Sequence, residues 1–504
     1  MPSYTQEVQA CRDAYNAGKM LIVEERRKHL MSLWRLMEEQ SEEILAALKK
    51  DLSKPKFEGV LMEIAFVKNE LVCQLDHLDE WTAPQKVGKN LMTMMDGVFI
   101  KPEPLGVVLI MSAWNYPIQL TLGPLCGALA AGNTVIIKPS ELSANIATLL
   151  EKIIPKYFPS NIVTVINGAI PETNALLKER FDYILYTGGS AVAKIIYESA
   201  AKHLTPVTLE LGGKSPVYLD PSSNLEIAAR RIVWGRFSNS GQTCIAPDYV
   251  MCPKGIESEF VRRCKDALLE FFGENAQESE SYGRIVNNRH FNRIKAMLNG
   301  ANIAVGGKTD EKDKFIEPTI LVDVKPTDSC MQDEIFGPIL PVMCVSDVDE
   351  AIAFINSREK PLALYVFSKN GKTVDKIMSR TTSGGITVND TVMHASVETL
   401  PFGGVGNSGI GAYHGKFSFD TFSHKRSCLV KKQAMEGMNQ IRYPPYTDKK
   451  LNLVTMITGK KPGSRNNWKM WVSVLVLGVL LGLFLKTPSV MQKLKAVLTA
   501  VAGL

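Results

Sequence analysis

The sequence predicts an α/β protein built on doubly wound, mostly parallel sheets. Four short apolar segments recur beyond Pro104, at residues 106–111, 134–138, 162–166 and 183–186. Stretches with helical periodicity separate them, at residues 120–131, 144–154 and 173–180. Strands that alternate with helices indicate a parallel sheet, and such sheets bind nucleotides at the carboxyl ends of their strands.

The regions around this core follow in order. Leu30, Leu33 and Met37 recur near helical spacing within residues 24–50, which predicts an amphipathic helix packed on the body. Residues 58–80 are predicted to be helical, and residues 81–100 to form an extended arm. Further strands are predicted in a second domain at residues 216–219, 249–251 and 363–367.

Composition narrows the class of protein. A chain of 504 residues is long enough for two or three domains with substantial cores. Its nine cysteines are odd in number and scattered, which indicates a reducing compartment and argues against a disulfide framework or a metal site. The first residues lack the apolar core of a signal peptide.

The net charge of +6 is concentrated at the carboxyl end. Residues 446–504 contain nine Lys or Arg residues and one acid, Asp448, so this tail carries +8 and the remaining chain −2. The basic excess therefore indicates a membrane surface as partner rather than nucleic acid.

A glycine-containing turn follows the fourth apolar segment and precedes helical residues 194–202. Its residues are Thr187, Gly188, Gly189, Ser190, Ala191, Val192 and Ala193. A strand, a glycine turn and a helix N-terminus suit a pyrophosphate, because free N–H groups and the helix dipole attract an anion. The turn does not match GxGxxG, so on its own it equally fits an ordinary tight turn.

A single cysteine, Cys244, lies in a loop-like segment, residues 238–247, with the sequence Ser-Asn-Ser-Gly-Gln-Thr-Cys-Ile-Ala-Pro. Gly241 allows close approach of the backbone to a ligand. A cysteine thiolate is a good nucleophile, although a lone cysteine is more often a small buried apolar residue.

Five motifs in this order resemble the aldehyde dehydrogenase superfamily. They are Trp-Asn-Tyr-Pro at 114–117, Leu-Glu-Leu-Gly-Gly-Lys at 209–214, the cysteine segment at 238–247, Glu-Ile-Phe-Gly-Pro at 334–338 and Pro-Phe-Gly-Gly-Val-Gly at 401–406. The resemblance covers roughly residues 5–445 and is greatest to the class 3 group and its membrane-bound, fatty-aldehyde-oxidising members.

The resemblance implies a domain layout. Residues 1–80 and 105–210 would form the NAD-binding domain, residues 211–415 the catalytic domain, and residues 81–104 and 416–445 a bridging segment that supports a homodimer.

The resemblance also implies the catalytic residues. Cys244 would attack the aldehyde, the Asn115 amide and the Cys244 backbone N–H would hold the oxyanion, and Glu210 would activate the hydrolytic water. The roles of Tyr413 and His414 stay open, since a histidine there also fits a core position.

The cofactor implied is NAD, with NADP possible. Lys138, Glu141, the turn at residues 187–193, Glu334 and Phe336 match the family's cofactor residues. Lys138 could also be an ordinary exposed lysine at the end of a strand, without a role in cofactor binding. A carboxylate at Glu141 favours NAD over the 2′-phosphate of NADP. Ala193 departs from the glycine that the family often has, which puts the seating of the cofactor in doubt.

The tail is predicted to anchor the protein in a membrane. Residues 446–467 would be a basic linker, residues 468–486 a transmembrane anchor and residues 487–504 a short amphipathic tail. The uncharged run at 470–485 would span about 24 Å, which suits a thin bilayer such as that of the endoplasmic reticulum. More basic residues precede the run than follow it, which places the enzyme on the cytosolic side. A core helix or an in-plane anchor are alternatives.

An anchored active site would sample aldehydes dissolved in the bilayer, so medium- and long-chain aliphatic aldehydes are the expected substrates. Three alternatives remain: a class 3 enzyme for short or aromatic aldehydes, a CoA-acylating enzyme, which would not need Glu210, and a catalytically idle scaffold.

Overall fold

The computed structural model describes residues 3–434, 436–459 and 462 of the chain. The predicted transmembrane anchor and amphipathic tail lie outside the described residues. No helix in the described part is long and apolar enough to cross a membrane. The chain divides into two compact units: one comprises the residues up to Ala83 and Pro102–His424, and the other comprises Pro84–Lys101 and the residues from Lys425.

The α-helices, in chain order, are α1 Thr5–Asn16, α2 Val23–Glu39, α3 Ser41–Leu52, α4 Lys56–Gly59, α5 Ala65–Thr82, α6 Gln119–Ala131, α7 Ala144–Tyr157, α8 Ile170–Leu176, α9 Ser190–Ala201, α10 Leu225–Phe237, α11 Lys254–Phe272, α12 Asn288–Ala296, α13 Val348–Asn356, α14 Gly371–Arg380, α15 Gly415–Thr421, α16 Glu436–Asn439 and α17 Asp448–Thr458.

The strands are β1 Gln85–Lys86, β2 Gly97–Pro104, β3 Val107–Met111, β4 Thr134–Lys138, β5 Val163–Val165, β6 Tyr183–Thr187, β7 Val207–Glu210, β8 Pro216–Leu219, β9 Tyr249–Cys252, β10 Ile303–Val305, β11 Thr309–Asp310, β12 Phe315–Ile316, β13 Thr319–Leu321, β14 Ile339–Cys344, β15 Ala363–Phe367, β16 Gly385–Val388, β17 Gly409–Ile410 and β18 Ser423–Val430.

The larger unit contains a six-stranded sheet in the order β17-β7-β6-β3-β4-β5. Its strands are parallel except β17, which runs antiparallel to β7. Every residue of β3 and β4 is buried. Continuous apolar runs of this kind are typical of parallel strands that are covered on both faces. The four apolar segments identified in the sequence form four of these strands, which confirms the predicted α/β class.

The same unit contains a seven-stranded sheet in the order β10-β13-β14-β9-β8-β15-β16. It is also parallel, except where β10 pairs with β13. The loop with Cys244 leads into β9, and the loop with Glu334 leads into the neighbouring strand β14. Because β9 and β14 are parallel neighbours, their amino ends bring the two loops together.

Two helical predictions were wrong in detail. Residues 24–50 form two helices and not one, because Gln40 has a non-helical backbone between α2 and α3. The helix predicted over 58–80 contains a π-helical turn at Val60–Ile64 between α4 and α5. Single π-turns inside helices occur frequently at functional sites.

The smaller unit contains most of a three-stranded sheet, β1-β2-β18. The predicted arm at residues 81–100 is partly extended, with a 3-10 turn at Leu91–Thr93 before β2. The described residues of the predicted basic linker include helix α17. The Thr447 side chain caps this helix by accepting a hydrogen bond from the Lys450 N–H.

Candidate active site

Four of the predicted site segments lie at the carboxyl ends of strands in the six-stranded sheet. Lys138 ends β4, Asn115 follows β3, Thr187 ends β6 and Glu210 ends β7. Since these four strands are parallel neighbours, their carboxyl ends place the four segments side by side, as expected for a nucleotide-binding sheet.

The cysteine loop has an unusual backbone immediately before the thiol. Asn239, Ser240 and Gly241 all have positive φ, at 52°, 53° and 74°. A Cβ atom at Gly241 would lie 2.3 Å from the carbonyl oxygen of Gly337. The loop is therefore packed directly against the segment that contains Glu334, and only glycine fits at position 241 without displacement.

Asn115 is hydrogen-bonded to the cysteine loop. Its Nδ2 donates to the carbonyl oxygen of Gln242 at 3.0 Å. The Asn239 Nδ2 donates to the same carbonyl at 3.1 Å and to the Asn115 carbonyl at 2.9 Å. These bonds hold the Asn115 amide against Gln242, which is two residues before Cys244 in the chain.

Glu210 is almost fully buried, with 3% of its surface exposed. Neither of its carboxylate oxygens has a hydrogen-bond partner among the described residues. Burial raises the pKa of this carboxyl well above its ordinary value. A raised pKa makes the carboxylate form of Glu210 a stronger base than an exposed carboxylate.

Cys244 is only partly exposed. Burial, and then the carboxyl groups of Glu334 and Glu210, raise the pKa of its thiol above the ordinary value. The arrangement therefore favours the neutral thiol, and a nearby proton acceptor is needed to form the nucleophilic thiolate.

Two cavities meet at the thiol. One, of about 260 Å³, is called the cofactor-side cavity here and is lined by Gly188, Gly189, Glu334 and Phe336 among others. The other, of about 200 Å³, is called the substrate-side cavity and has a largely apolar lining. Four residues line both cavities: Thr187, Glu210, Leu211 and Cys244. The proposed nucleophile and base thus lie where the two cavities join.

Glu334 and Phe336 form one wall of the cofactor-side cavity. Burial and then Asp248 raise the pKa of the Glu334 carboxyl to about 8. Its Oε1 is buried without a partner in the described structure, and a Cβ atom at Gly212 would lie 2.0 Å from its Oε2. Phe336 meets Trp114 edge to face, with ring centroids 5.3 Å apart. The unpartnered Oε1 fits a hydroxyl group of a bound ribose.

The glycine turn presents the start of a helix. The Gly188 N–H donates to the Glu210 carbonyl at 3.0 Å, and Gly189 precedes α9. No side chain of the described residues caps α9, so its first N–H groups are free to bind an anion. Ser190, Ala191 and Val192 are exposed on this turn.

Ala193, where the chain departs from the family pattern, is buried, unlike the exposed residues of the turn before it. Only 1% of its surface is exposed, and it packs in the core beside Ile196 and Tyr186. Its methyl group therefore lies in the core and not on the exposed face of the helix.

Lys138 and Glu141 form a separate group. The Lys138 Nζ donates to the Pro139 carbonyl at 3.0 Å and lies 3.4 Å from Glu141 Oε2. Both residues lie outside the described lining of the two cavities. They lie at the same carboxyl ends of the six-stranded sheet as Asn115 and Glu210 but line neither cavity.

Sequence reasoning missed His290 and Arg293, which line the cofactor-side cavity from α12. Arg293 donates to the carbonyls of Glu334 at 3.2 Å and Ile335 at 2.7 Å. Burial lowers the pKa of His290 to about 4, with further lowering by Arg293. The sequence did contain a signal for these two residues. His290 and Arg293 are three residues apart on a helix capped by Asn287, and this spacing places both side chains on one face.

Tyr413 and His414 line the substrate-side cavity. The His414 ring stacks on Phe402 with centroids 4.9 Å apart, and burial lowers its pKa to about 3. His414 has a φ of 84°, a conformation that is costly for a residue other than glycine. Its imidazole is therefore neutral and is part of the cavity wall.

Comparison with known proteins agrees with this architecture. The family model described as the aldehyde dehydrogenase family matches residues 3–428. Aldehyde dehydrogenase family 3 member A2 of Macaca fascicularis is 53% identical over 447 residues, which are 89% of this chain and 92% of the relative.

Two further proteins are similar over most of the chain. The dimeric NADP-preferring aldehyde dehydrogenase of Rattus norvegicus is 52% identical, with 88% of this chain and 98% of the relative covered. The substrate-bound structure of Staphylococcus aureus AldH has a TM-score of 0.88 and 41% identity, with 90% of this chain and 99% of that chain covered. Enzymes of this family use NAD or NADP. The chain is thus an enzyme of the aldehyde dehydrogenase family, in its class 3 group.

Proposed function

We propose that the enzyme oxidises medium- and long-chain aliphatic aldehydes to carboxylic acids, with NAD or NADP as acceptor and Cys244 as nucleophile. The apolar lining of the substrate-side cavity carries this proposal. Its walls include Leu61, Ala65, Phe66 and Leu120, and Leu61 and Met393 remain 47% and 45% exposed. An apolar cavity with exposed apolar residues in its wall suits an alkyl chain.

In the first half of the reaction the partly exposed Cys244 thiol releases its proton to water, and the resulting thiolate attacks the aldehyde carbon to form a thiohemiacetal. The Asn115 amide and the Cys244 backbone N–H hold the oxygen, which carries the developing negative charge. The dinucleotide, when bound, supplies the acceptor for the hydride that leaves the thiohemiacetal carbon, so that a thioester to Cys244 remains. The uncapped start of α9 and the carboxyl group of Glu334 fit its pyrophosphate and ribose.

In the second half, water hydrolyses the thioester on Cys244. Glu210, as the carboxylate, accepts the proton of this water, and its raised pKa makes that carboxylate a stronger base. The carboxylic acid then leaves through the substrate-side cavity. A CoA-acylating enzyme would not need this base, so the position of Glu210 in the wall of both cavities favours hydrolysis.

Assembly and location are part of the proposal. The rat relative is named dimeric, which supports a homodimer here. The basic tail and the uncharged run at residues 470–485 support a carboxyl-terminal anchor in the endoplasmic reticulum membrane with the catalytic part in the cytosol. Such an anchor would hold the active site where long-chain aldehydes dissolve.

The test is NADH or NADPH formation by the full-length protein in detergent, across saturated aldehydes of increasing length. Each added methylene that the cavity buries should raise kcat/KM up to about fourfold, equivalent to about 0.8 kcal/mol. Activity confined to short or aromatic aldehydes would refute the fatty substrate and leave the dehydrogenase. Absence of activity with either cofactor would favour the idle scaffold.

A further inference from the structure

A buried ion pair lies next to the candidate active site and has no part in the mechanism above. The Lys54 Nζ is 2.5 Å from the Glu63 Oε1, and both side chains are 0% exposed. Removing two charges from water is unfavourable, and further hydrogen bonds have to offset this loss of hydration. The partners of these two side chains therefore indicate what the pair holds in place.

Lys54 contacts two consecutive residues of the site. Its Nζ donates to the Asn115 carbonyl oxygen at 2.8 Å and lies 4.1 Å from the centre of the Tyr116 ring. The Tyr116 hydroxyl shares a hydrogen bond of 2.7 Å with Thr243 Oγ1, the residue immediately before Cys244. One ammonium group thus supports both the proposed oxyanion residue and the chain beside the nucleophile.

The carboxylates of the same segment hold the surrounding backbone. The Glu63 Oε2 accepts from the N–H groups of Ile118 at 3.0 Å and Gln119 at 2.9 Å, where α6 begins. The Glu58 Oε2 accepts from the Asn239 N–H at 3.0 Å, in the cysteine loop. Residues 54–63 therefore bind the start of α6, which follows Asn115 in the chain, and the cysteine loop, to which Asn115 is hydrogen-bonded.

We propose that Lys54 is a positioning residue that fixes the Asn115 amide for oxyanion stabilisation, an inference that rests on the proposed mechanism. The Asn115 carbonyl accepts two hydrogen bonds, one from Lys54 and one from Asn239. The bond from the ammonium is charge-assisted and therefore the stronger. Without it, the Asn115 peptide is held on one side only, and its side chain loses the fixed placement that catalysis requires.

The experiment uses Lys54→Met and, in case this single variant does not fold, Lys54→Met combined with Glu63→Gln, which removes the carboxylate that Lys54 pairs with. The matched control is Lys68→Met. Lys68 also contacts one carboxylate, Glu38 at 2.6 Å, and one aromatic ring, Trp34 at 5.4 Å, but neither contact is with Asn115 or the cysteine loop. Each change is made in the wild type and in Asn115→Ala.

In the wild-type background, loss of Lys54 should lower kcat about 10- to 100-fold, because a displaced oxyanion donor is nearly as harmful as a missing one. KM and the Kd of the cofactor should stay unchanged. In the Asn115→Ala background the same change should alter residual kcat by no more than about twofold, since coupled residues are not additive.

Equal losses in both backgrounds, or an equal loss in Lys68→Met, would show that Lys54 acts through general stability and would overturn the proposal. If Asn115→Ala itself leaves kcat unchanged, the proposed oxyanion site is wrong, and that outcome is separate from a failure of Lys54 alone.

Discussion

Replacement of Gly241 by alanine should lower the free energy of unfolding and disturb the active site. Its φ of +74° is the left-handed region, which costs a residue with a side chain about 1–2 kcal/mol. The new Cβ would also lie 2.3 Å from the oxygen and 2.5 Å from the carbon of the Gly337 carbonyl. Overpacking against backbone costs about 1–3 kcal/mol, so the total loss should be about 2–5 kcal/mol.

Gly300→Ala is the matched control. Its φ is +73°, and in the described structure no heavy atom lies within 4 Å of the position that its Cβ would occupy. It should lose only the conformational part, about 1–2 kcal/mol. Urea unfolding followed by tryptophan fluorescence measures both changes.

The two variants should also differ in turnover. In Gly241→Ala the cysteine loop or the segment at residues 334–338 has to shift, which should lower kcat about 10- to 100-fold. Gly300→Ala should keep wild-type kcat. Equal destabilisation by the two substitutions, or full turnover in Gly241→Ala, would refute the close packing of the cysteine loop on Gly337.

Three further outcomes are expected. Cys244→Ser should abolish NADH formation while fluorescence titration still detects cofactor binding; retained turnover would exclude Cys244 as nucleophile. Since the pKa of Glu334 is raised from 4.5 to about 8, the folded protein keeps a proton that the unfolded chain releases in that window, so this residue's contribution to stability falls as pH rises. The Tm of Glu334→Gln relative to wild type should therefore increase from pH 5 to pH 8, and a constant difference would contradict the buried carboxyl. Leu61→Asp should lower kcat/KM more for long than for short aldehydes, whereas Phe57→Asp, which is exposed outside the cavity lining, should not; similar chain-length profiles for both would argue against an alkyl chain in this cavity.

The strands of the six-stranded sheet could be predicted from the sequence because their signal is local. In β3 and β4 nearly every residue is apolar, so burial on both faces is encoded in consecutive positions. The break at Gln40 could not be predicted from the sequence, because the apolar spacing continues across it. Only the non-helical backbone angles of Gln40 separate α2 from α3.

The candidate site was partly accessible. Motifs identified Cys244, Glu210 and Asn115 as candidates, and their chemical roles stay predictions until they are measured. The contacts that place them join distant positions: the Asn115 amide and the Gln242 carbonyl are 127 residues apart in the chain. No pattern in the sequence indicated that Lys54 contacts Asn115, because this bond joins the loop after α3 to the loop after β3, 61 residues further along the chain.

Covalent chemistry at Cys244 is tested most directly by mass spectrometry of Glu210→Gln after reaction with NAD and a long-chain aldehyde such as dodecanal. A variant that forms the thioester but hydrolyses it slowly should accumulate the acyl group on the peptide that contains Cys244, while the wild-type protein should not. An acyl group on another residue, or no acyl group together with undiminished turnover, would contradict the assignment of Cys244 as nucleophile and Glu210 as hydrolytic base.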